Sequence, residues 1–383
     1  MKFLHLSDLH IGKSVNGFSM LDGQRHVFGQ IIEYVRSEQP DAVVIAGDIY
    51  DRAVPGVEAV RLFDDFLTGM SNEDVSVLLV SGNHDSPERL NYASRLLSEK
   101  RIHLRGVFEG ALRPVTLTDE YGAVNFWLLP FIKPSSVRNP AGEREIDGYD
   151  DAFAAALESA NIDFSARNVL VAHQFFTRAG VAPVRSESEL NPVGGLDAIG
   201  AESIGDFDYA ALGHLHGAQT VGAEHVRYAG SPLKYSFSEW RQKKSVTLAE
   251  LRRKGDLTVT TLPLAPLRDM REMKGRLEVL LSAEAAARAD REDYLHVVLT
   301  DEEEIIDPLN RLRSVYPNVM ALDFENSRTG VDASAMRPTP EEIGRLSPYD
   351  LFSEFFLRLS GAVMSEEQAE IARELLETSG TER

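Results

Sequence analysis

The sequence predicts an α/β protein whose sheets are covered by helices, and three observations predict it. Over the first 265 residues, short β-branched runs alternate with stretches of helical spacing. Five of those runs stop abruptly at metal-type polar side chains, the ending expected where strands deliver residues to a ligand. The chain's 383 residues, 43% of them hydrophobic, suffice for one large core plus a smaller domain or two.

Taken in order, KFLHLSDLH, DAVVIAGD, VSVLLVSGNHD, VNFWLLP, NVLVAHQ and DYAALGHLH read as strands. Between them HVFGQIIEYVRSEQ, GVEAVRLFDDFLTGM, LNYASRLLSEK and DDAFAAALESA carry helical spacing. HVRYAG, KSVTLAEL and LTVTTLPL follow with no helix between them and predict an antiparallel portion, closing a domain over 1–265. PLAPLRDM, with two prolines, reads as a linker. Next come RLEVLLSAEAAARA (helix), DYLHVVLT (strand), EIIDPLNRLRSVYP (helix) and NVMALDFE (strand), a small α/β domain over 270–326. SRTGVDASAMRPTP, 327–340, reads as a connection. The tail, 341–383, holds two helices, the first with Leu351, Phe352, Phe355, Phe356 and Leu359 on one side.

Composition narrows the function classes. No apolar run reaches membrane-spanning length, and Asp8 and His10 interrupt the N-terminus before a signal-peptide core forms, so a cytoplasmic location is expected. With no cysteine, any metal must sit on His, Asp, Glu or Asn. A net charge of −20 argues against coating nucleic acid by bulk electrostatics. The charge is uneven: residues 241–276 carry ten Lys or Arg against four acids, and residues 338–383 carry ten acids against four Arg. Either could be an ordinary solvated face.

Five features share one design, a hydrophobic strand followed at once by polar ligand-type residues. They are Asp8-Leu9-His10, Gly47-Asp48-Ile49-Tyr50-Asp51, Gly82-Asn83-His84-Asp85, His173, and Gly213-His214-Leu215-His216. Side chains at i and i+2 of an extended segment point the same way, so Asp8 with His10, and His214 with His216, can each grip one centre. Singly these are weak signals, since a D-x-H triplet arises often by chance and a lone histidine is usually a core or surface group. Their conjunction, each at a strand end, is what counts. Carboxylate, imidazole and amide ligands suit hard to borderline divalent ions, and there are too many for one centre. Two ions bridged by a carboxylate would use them all and suit displacement at phosphorus.

In that order the motifs resemble the calcineurin-like metallophosphoesterase superfamily. MKFLHLSDLHIGK, GDIYDR, SGNHDSPERL and GHLHGAQTVGAEHVRYAGSPLKYSFSE look more narrowly like the bacterial SbcD family of double-strand-break repair nuclease subunits, through about the first 260 residues. The resemblance implies a two-sheet sandwich flanked by helices, with a small α/β cap domain and a helical C-terminal tail. It implies one metal on Asp8, His10, Asp48 and His216, and a second on Asp48, Asn83, His173 and His214. His84 is then left without a metal and is expected to protonate the leaving oxygen or stabilise the transition state, a job suited to histidine. Asp51 resembles the carboxylate that orients it, while Asp85 fixes the loop. Arg52 and Arg89 follow the motifs closely and are candidates for phosphate contact, against ordinary surface salt bridges. RYAGSPLKYSF is a further candidate, or simply the next hairpin.

The family implies a Mn-dependent DNA nuclease (Mg possible), an exonuclease on duplex ends and an endonuclease on single strands and hairpins, acting in repair and recombination. It implies a homodimer in a two-to-two complex with an SbcC-type coiled-coil ATPase, which the tail would contact by helix-in-groove docking. The basic stretch would supply phosphate contacts. Two rivals stand: a small-molecule or cyclic-nucleotide phosphodiesterase, and a DNA-end scaffold with a vestigial site. His5, His26, His103, His225 and His296 lie outside the pattern. Gly12-Lys13-Ser14 resembles the end of a P-loop, but the motif's first glycine would fall at Ser7, so no ATP binding is expected.

Overall fold

Each run assigned as a strand in the first 265 residues forms one. In the computed structural model, which describes residues 1–138, 145–178, 183–189, 198–326, 347–360 and 363–379, these strands build two six-stranded sheets. The strands are β1 (Lys2–Leu6), β2 (Ala42–Ala46), β3 (Ser76–Val80), β4 (Ile102–Arg105), β5 (Pro114–Asp119), β6 (Gly122–Leu129), β7 (Arg167–His173), β8 (Tyr209–Gly213), β9 (Gln219–Val221), β10 (Ala223–Tyr228), β11 (Ser245–Leu251) and β12 (Leu257–Pro263). The first sheet runs β12-β11-β1-β2-β3-β4, parallel from β1 to β4, with β11 and β12 added antiparallel. The second runs β9-β10-β8-β7-β6-β5, parallel from β10 to β6 and antiparallel at both edges.

Period-2 alternation places Phe3, Ala42, Val44, Ala46, Leu78 and Val80 of the first sheet against Phe126, Leu128, Val169, Val171, Tyr209 and Ala211 of the second. The opposite faces also need cover, which is why the central strands read as unbroken apolar runs. Helix α1 (Leu21–Glu38) buries Val27, Phe28, Ile31 and Val35, and α2 (Val57–Ser71) buries Leu62, Phe63, Phe66 and Met70. Phe153 of α3 (Tyr149–Glu158) packs with Leu170, Ala210 and Leu212 of the second sheet. The architecture is the two-sheet sandwich that the resemblance implied. Emptying one core position, as in Phe126→Ala, costs about 3–5 kcal/mol.

Several boundaries differ from the periodicity. Helix α1 begins at Leu21 rather than near His26 because Gln24, a buried amide, occupies its inner face and breaks the apolar signal. The predicted helix over 90–100 is two short pieces, Pro87–Leu90 and Ser94–Ser98, parted where Ala93 takes φ 59° and Asn91 accepts the Gly106 N–H at 3.1 Å.

The chain divides into two units, Met1–Asp269 and Met270–Arg383. In the second, strands Met270–Gly275, Tyr294–Leu299 and Val319–Phe324 make an all-parallel sheet. Its first strand was missed, since MREMKG has little apolar content to signal one. The helix expected over 276–289 breaks into Leu277–Leu280 and Ala283–Ala286, where Ser282 caps the second piece through the Ala285 N–H at 3.2 Å. The next helix starts only at Pro308, a residue suited to a first helical position. The connection at 327–340 lies outside the described residues. Both tail helices form, Pro348–Ser360 and Glu366–Ser379, and the Arg373 guanidinium lies 4.7 Å from the Tyr349 ring centre. Among the described residues no helix is long and apolar enough to cross a membrane.

Candidate metal centre

The carboxyl ends of β1, β2, β3, β7 and β8 meet at one edge of the sandwich. The sheets approach so closely there that a Cβ on Gly213 would lie 1.8 Å from the Ala46 carbonyl oxygen. The loops are zipped together by backbone bonds, Asp8 N–H to Gly47 O at 3.1 Å, His10 N–H to Asp48 O at 3.0 Å and Ile11 N–H to Ile49 O at 2.9 Å. The expected i, i+2 geometry of extended chain is not how the side chains converge. Asp8 (φ 53°), His10 (φ 43°), Asp48 (φ 50°) and His214 (φ 110°) all have positive φ. Such backbone costs about 1–3 kcal/mol per residue and collects at functional sites, where surrounding bonds over-determine it.

All seven side chains predicted as ligands come together. Asp48 Oδ2 lies 3.5 Å from His10 Nε2 and 3.3 Å from His173 Nε2, between two groups of donors. On one side His10 Nε2 and His216 Nε2 face each other at 3.1 Å. Asp8, His10 and His216 each bring a ligand atom within 4.8 Å of the others. On the other side Asn83 Oδ1 lies 3.0 Å from His173 Nε2 and 3.1 Å from His214 Nδ1. Asp8 also accepts the His214 N–H, at 3.0 and 3.2 Å to its two oxygens.

The donors fit cations. His173 gives its Nδ1 proton to the Ala46 carbonyl at 2.8 Å, so the neutral ring would aim an Nε2 lone pair at the oxygens of Asp48 and Asn83. Only a positive charge reconciles that contact, and a second metal-type triplet, Asp8, Asp48 and His173, lies there. The acid–base balance of the bare residues says the same. Burial opposes charge on His173, yet the neighbouring Asp48 and then Asp8 push it up to about 9. Burial likewise opposes charge on Asp48, but His173 and then His10 hold its carboxyl well below the usual range. Burial pushes Asp8 up and drives His10 and His214 down, His214 to about 3. The buried His/Asp cluster thus suits a dimetal site.

His84 is half-buried beside this cluster, its ring 4.8 Å from that of His10 and edge-on to it. Its main chain donates to Asp48 Oδ1 at 2.9 Å, and its Nδ1 lies 2.9 Å from the backbone carbonyl of Asp51. The residue expected to orient His84 is therefore in contact with it, through a different atom. The Asp51 carboxylate instead pairs with Lys13 Nζ at 2.8 Å and lies 3.7 Å from His10 Nδ1. Asp85 turns away from the centre and accepts the N–H groups of Ile49, Tyr50 and Gly82 at 2.9–3.0 Å, tying the β2 and β3 loops together. Burial, and then Asp48, push its carboxyl up to about 6. Arg52 is exposed, 3.6 Å from the Asp51 carboxylate, and Arg89 is exposed on the short helix after the Asn83-His84-Asp85 loop.

Sequence reasoning missed the residues behind the ligands. Gln24 donates to His10 O at 2.7 Å and to Tyr235 Oη at 3.0 Å. Glu189, Ser188, Glu239 and Lys244 surround His216. Burial opposes charge on Glu239, but hydrogen bonding to His216 and the Lys244 charge hold its carboxyl well below the usual range. Glu239 closes the RYAGSPLKYSFSE run, so only its partners were hidden. The basic stretch at 241–276 is not a free cationic patch. Among the described residues, at least six of its ten cations lie within 4.0 Å of a carboxylate: Lys244 with Glu239, Arg252 with Glu250, Lys254 with Asp208, Arg271 with Asp293, Lys274 with Glu325 and Arg276 with Asp301.

A family model of calcineurin-like phosphoesterases matches residues 1–218, and one of the type 5 capsule protein repressor C-terminal domain matches residues 266–358. The chain is 31% identical over 382 residues to the SbcD subunit of nuclease SbcCD from Staphylococcus epidermidis, covering 98% of each chain. It is 30% identical over 373 residues to the same subunit from Staphylococcus saprophyticus, covering 96% of each. A dimetal phosphatase of Danio rerio with a solved structure aligns at 12% identity and a TM-score of 0.38, over 70% of this chain and 99% of that one. By the family model, by the two staphylococcal relatives and by the strand-end cluster of carboxylates and imidazoles, the chain belongs to the calcineurin-like phosphoesterase family, as a metal-dependent phosphodiesterase, and within it to the family of SbcD nuclease subunits.

Proposed function

We propose that the chain is a two-metal DNA nuclease, exonucleolytic on duplex ends and endonucleolytic on single strands and hairpins, with Mn as its working ion and an SbcC-type ATPase as its partner. One observation carries the reading: Asp48 sits between two donor sets, 3.5 Å from His10 Nε2 and 3.3 Å from His173 Nε2. In it Asp8, His10, Asp48 and His216 hold one cation, and Asp48, Asn83, His173 and His214 the other. When bound, such a pair of cations activates water near neutral pH and neutralises charge on a phosphodiester.

The remaining work falls to the chain's own groups. His84 donates its Nδ1 proton to the Asp51 carbonyl, which orients the ring, and as the imidazolium it delivers the second proton, on Nε2, to the leaving oxygen. Asp85 keeps the loop that carries Asn83 and His84 in register with the loop that carries Asp48. Arg52 and Arg89, both exposed, are placed to meet backbone phosphates, Arg52 from its position beside the Asp51 carboxylate. The tail helices supply the partner surface, with Leu351, Phe352 and Phe355 exposed to 36%, 38% and 56%. The second unit guides duplex ends, and two chains join in a two-to-two complex with the ATPase.

The test is incubation of end-labelled duplex and hairpin DNA with the purified chain in Mn, with and without the ATPase and ATP. Shortening of the duplex and nicking of the hairpin are expected. Rapid turnover of cyclic nucleotides with inert DNA would favour the small-molecule phosphodiesterase. DNA binding without cleavage in saturating Mn would favour the scaffold.

A further inference from the structure

His216 is gripped from every side by groups that do not belong to the other cation position. Its main-chain N–H donates to Glu189 Oε1 at 2.7 Å, and its carbonyl accepts from Lys244 Nζ at 2.9 Å. Its ring Nδ1 lies 2.8 Å from Ser188 Oγ and 3.2 Å from Glu239 Oε1, and Ser188 Oγ donates to that same oxygen at 2.6 Å. The Ser188 hydroxyl has one hydrogen, already given to Glu239, so it can only accept from His216. The chain of bonds therefore runs one way, His216 Nδ1–H to Ser188 to Glu239, and the lone pair of the ring is fixed on Nε2, facing His10.

Lys244 completes the arrangement. Its ammonium, with three hydrogens, lies among four acceptors: Glu239 Oε2 at 2.6 Å, Gln242 Oε1 at 2.7 Å, Ser231 Oγ at 2.9 Å and the His216 carbonyl. Glu239 is fully buried and Lys244 nearly so. A buried ion pair is a poor stabiliser, because desolvation cancels most of its attraction, so its presence asks for another reason. At the other cation position His173 is oriented by a main-chain carbonyl instead, that of Ala46.

We infer that the buried Glu239–Lys244 pair is a positioning device for His216, one that sets the affinity of the cation position formed by Asp8, His10, Asp48 and His216 and leaves the position around Asn83 and His173 independent of it. The inference rests on the two-cation reading above. Losing such a partner of a metal-bound histidine typically weakens metal binding about 10–100-fold.

The experiment reads Mn binding to the full chain by calorimetry, without DNA. The variant Glu239→Leu/Lys244→Met removes both charges of the pair at similar volume, so that neither is left buried without the other. It is placed in two backgrounds, Asn83→Ala, which cripples the His173 position, and His216→Ala, which cripples the other, with each fold checked by urea unfolding. Mn affinity is expected to fall about 10–100-fold in the Asn83→Ala background and to stay unchanged in the His216→Ala background. Unchanged affinity in both, or an equal loss in both, overturns the inference, the first making the pair structural and the second making it a general support of the fold. Fewer than two Mn ions on the unmutated chain would overturn the two-cation reading itself. Two ions there with no effect of the double variant would sink only this inference.

Discussion

At His84 the ring contacts a main-chain carbonyl and its backbone contacts Asp48, so its side chain can be removed without withdrawing a predicted ligand. His84→Ala should lower cleavage by about 10²–10⁴-fold while elemental analysis still finds close to two ions per chain. Loss of an ion along with the activity would instead make His84 a ligand, a role its place in the His10, Asp48 and His84 triplet leaves geometrically open. Asp85 tells the opposite story, a titratable residue in a signature motif whose work is structural. Asp85→Ala strands two buried N–H groups and one part-buried one and should cost about 2–6 kcal/mol in urea unfolding. A cost below about 1 kcal/mol would show that the loops are held elsewhere.

Elements carry these residues to one place by ending together. Five strand ends supply the cluster, and the glycines at them are there because no side chain fits: a Cβ on Gly82 would lie 2.1 Å from Asp48 Oδ1, and one on Gly47 2.3 Å from His173 Nδ1. The tail helices show the reverse case, a pair with more apolar surface than it can cover. Leu351, Phe355, Ile371 and Leu375 stand exposed, and among the described residues of the two helices only Ala372 is buried. Deleting residues 338–383 should leave basal Mn-dependent cleavage intact and abolish co-purification with the ATPase. Retained binding would place the partner surface on another element.

For the whole molecule, His5 links the two sheets through the Tyr209 hydroxyl at 2.9 Å. Burial, and then Arg227, push its pKa down to about 3, so the folded state keeps it neutral while the unfolded chain protonates it near 6.5. The contribution is therefore fully present above about pH 6.5 and is lost as pH falls toward about 3, with a limiting slope of about 1.4 kcal/mol per pH unit. His5→Gln should flatten the stability profile by one proton over that window. Parallel profiles for the two proteins would exclude His5 as the source.

Much of the site was legible in the sequence, and for a definite reason. A strand that stops at Asp-x-His or Gly-His-x-His sets out polar side chains locally, so Asp8, His10, Asp48, Asn83, His173, His214 and His216 could be picked out as one candidate cluster before any contact was known. Strand identity was legible for the same reason, because burial on both faces writes a continuous apolar run. What the local pattern could not carry were contacts between distant segments. Gln24 looked like a polar interruption until its amide was seen holding His10, 14 residues away. Lys244 looked like part of a basic stretch for DNA until Glu239 and the His216 carbonyl took its charge. Asp51 does lie beside His84, but it is the main-chain carbonyl that the ring meets, while the carboxylate pairs with Lys13. By itself the sequence determined the fold class and the residue types of the candidate ligands, since both are written in short-range periodicity and residue type. The tertiary structure alone decided the left-handed turns at Asp8, His10, Asp48 and His214 and the buried Glu239–Lys244 pair against His216, because both depend on segments that meet only once the sheets have packed.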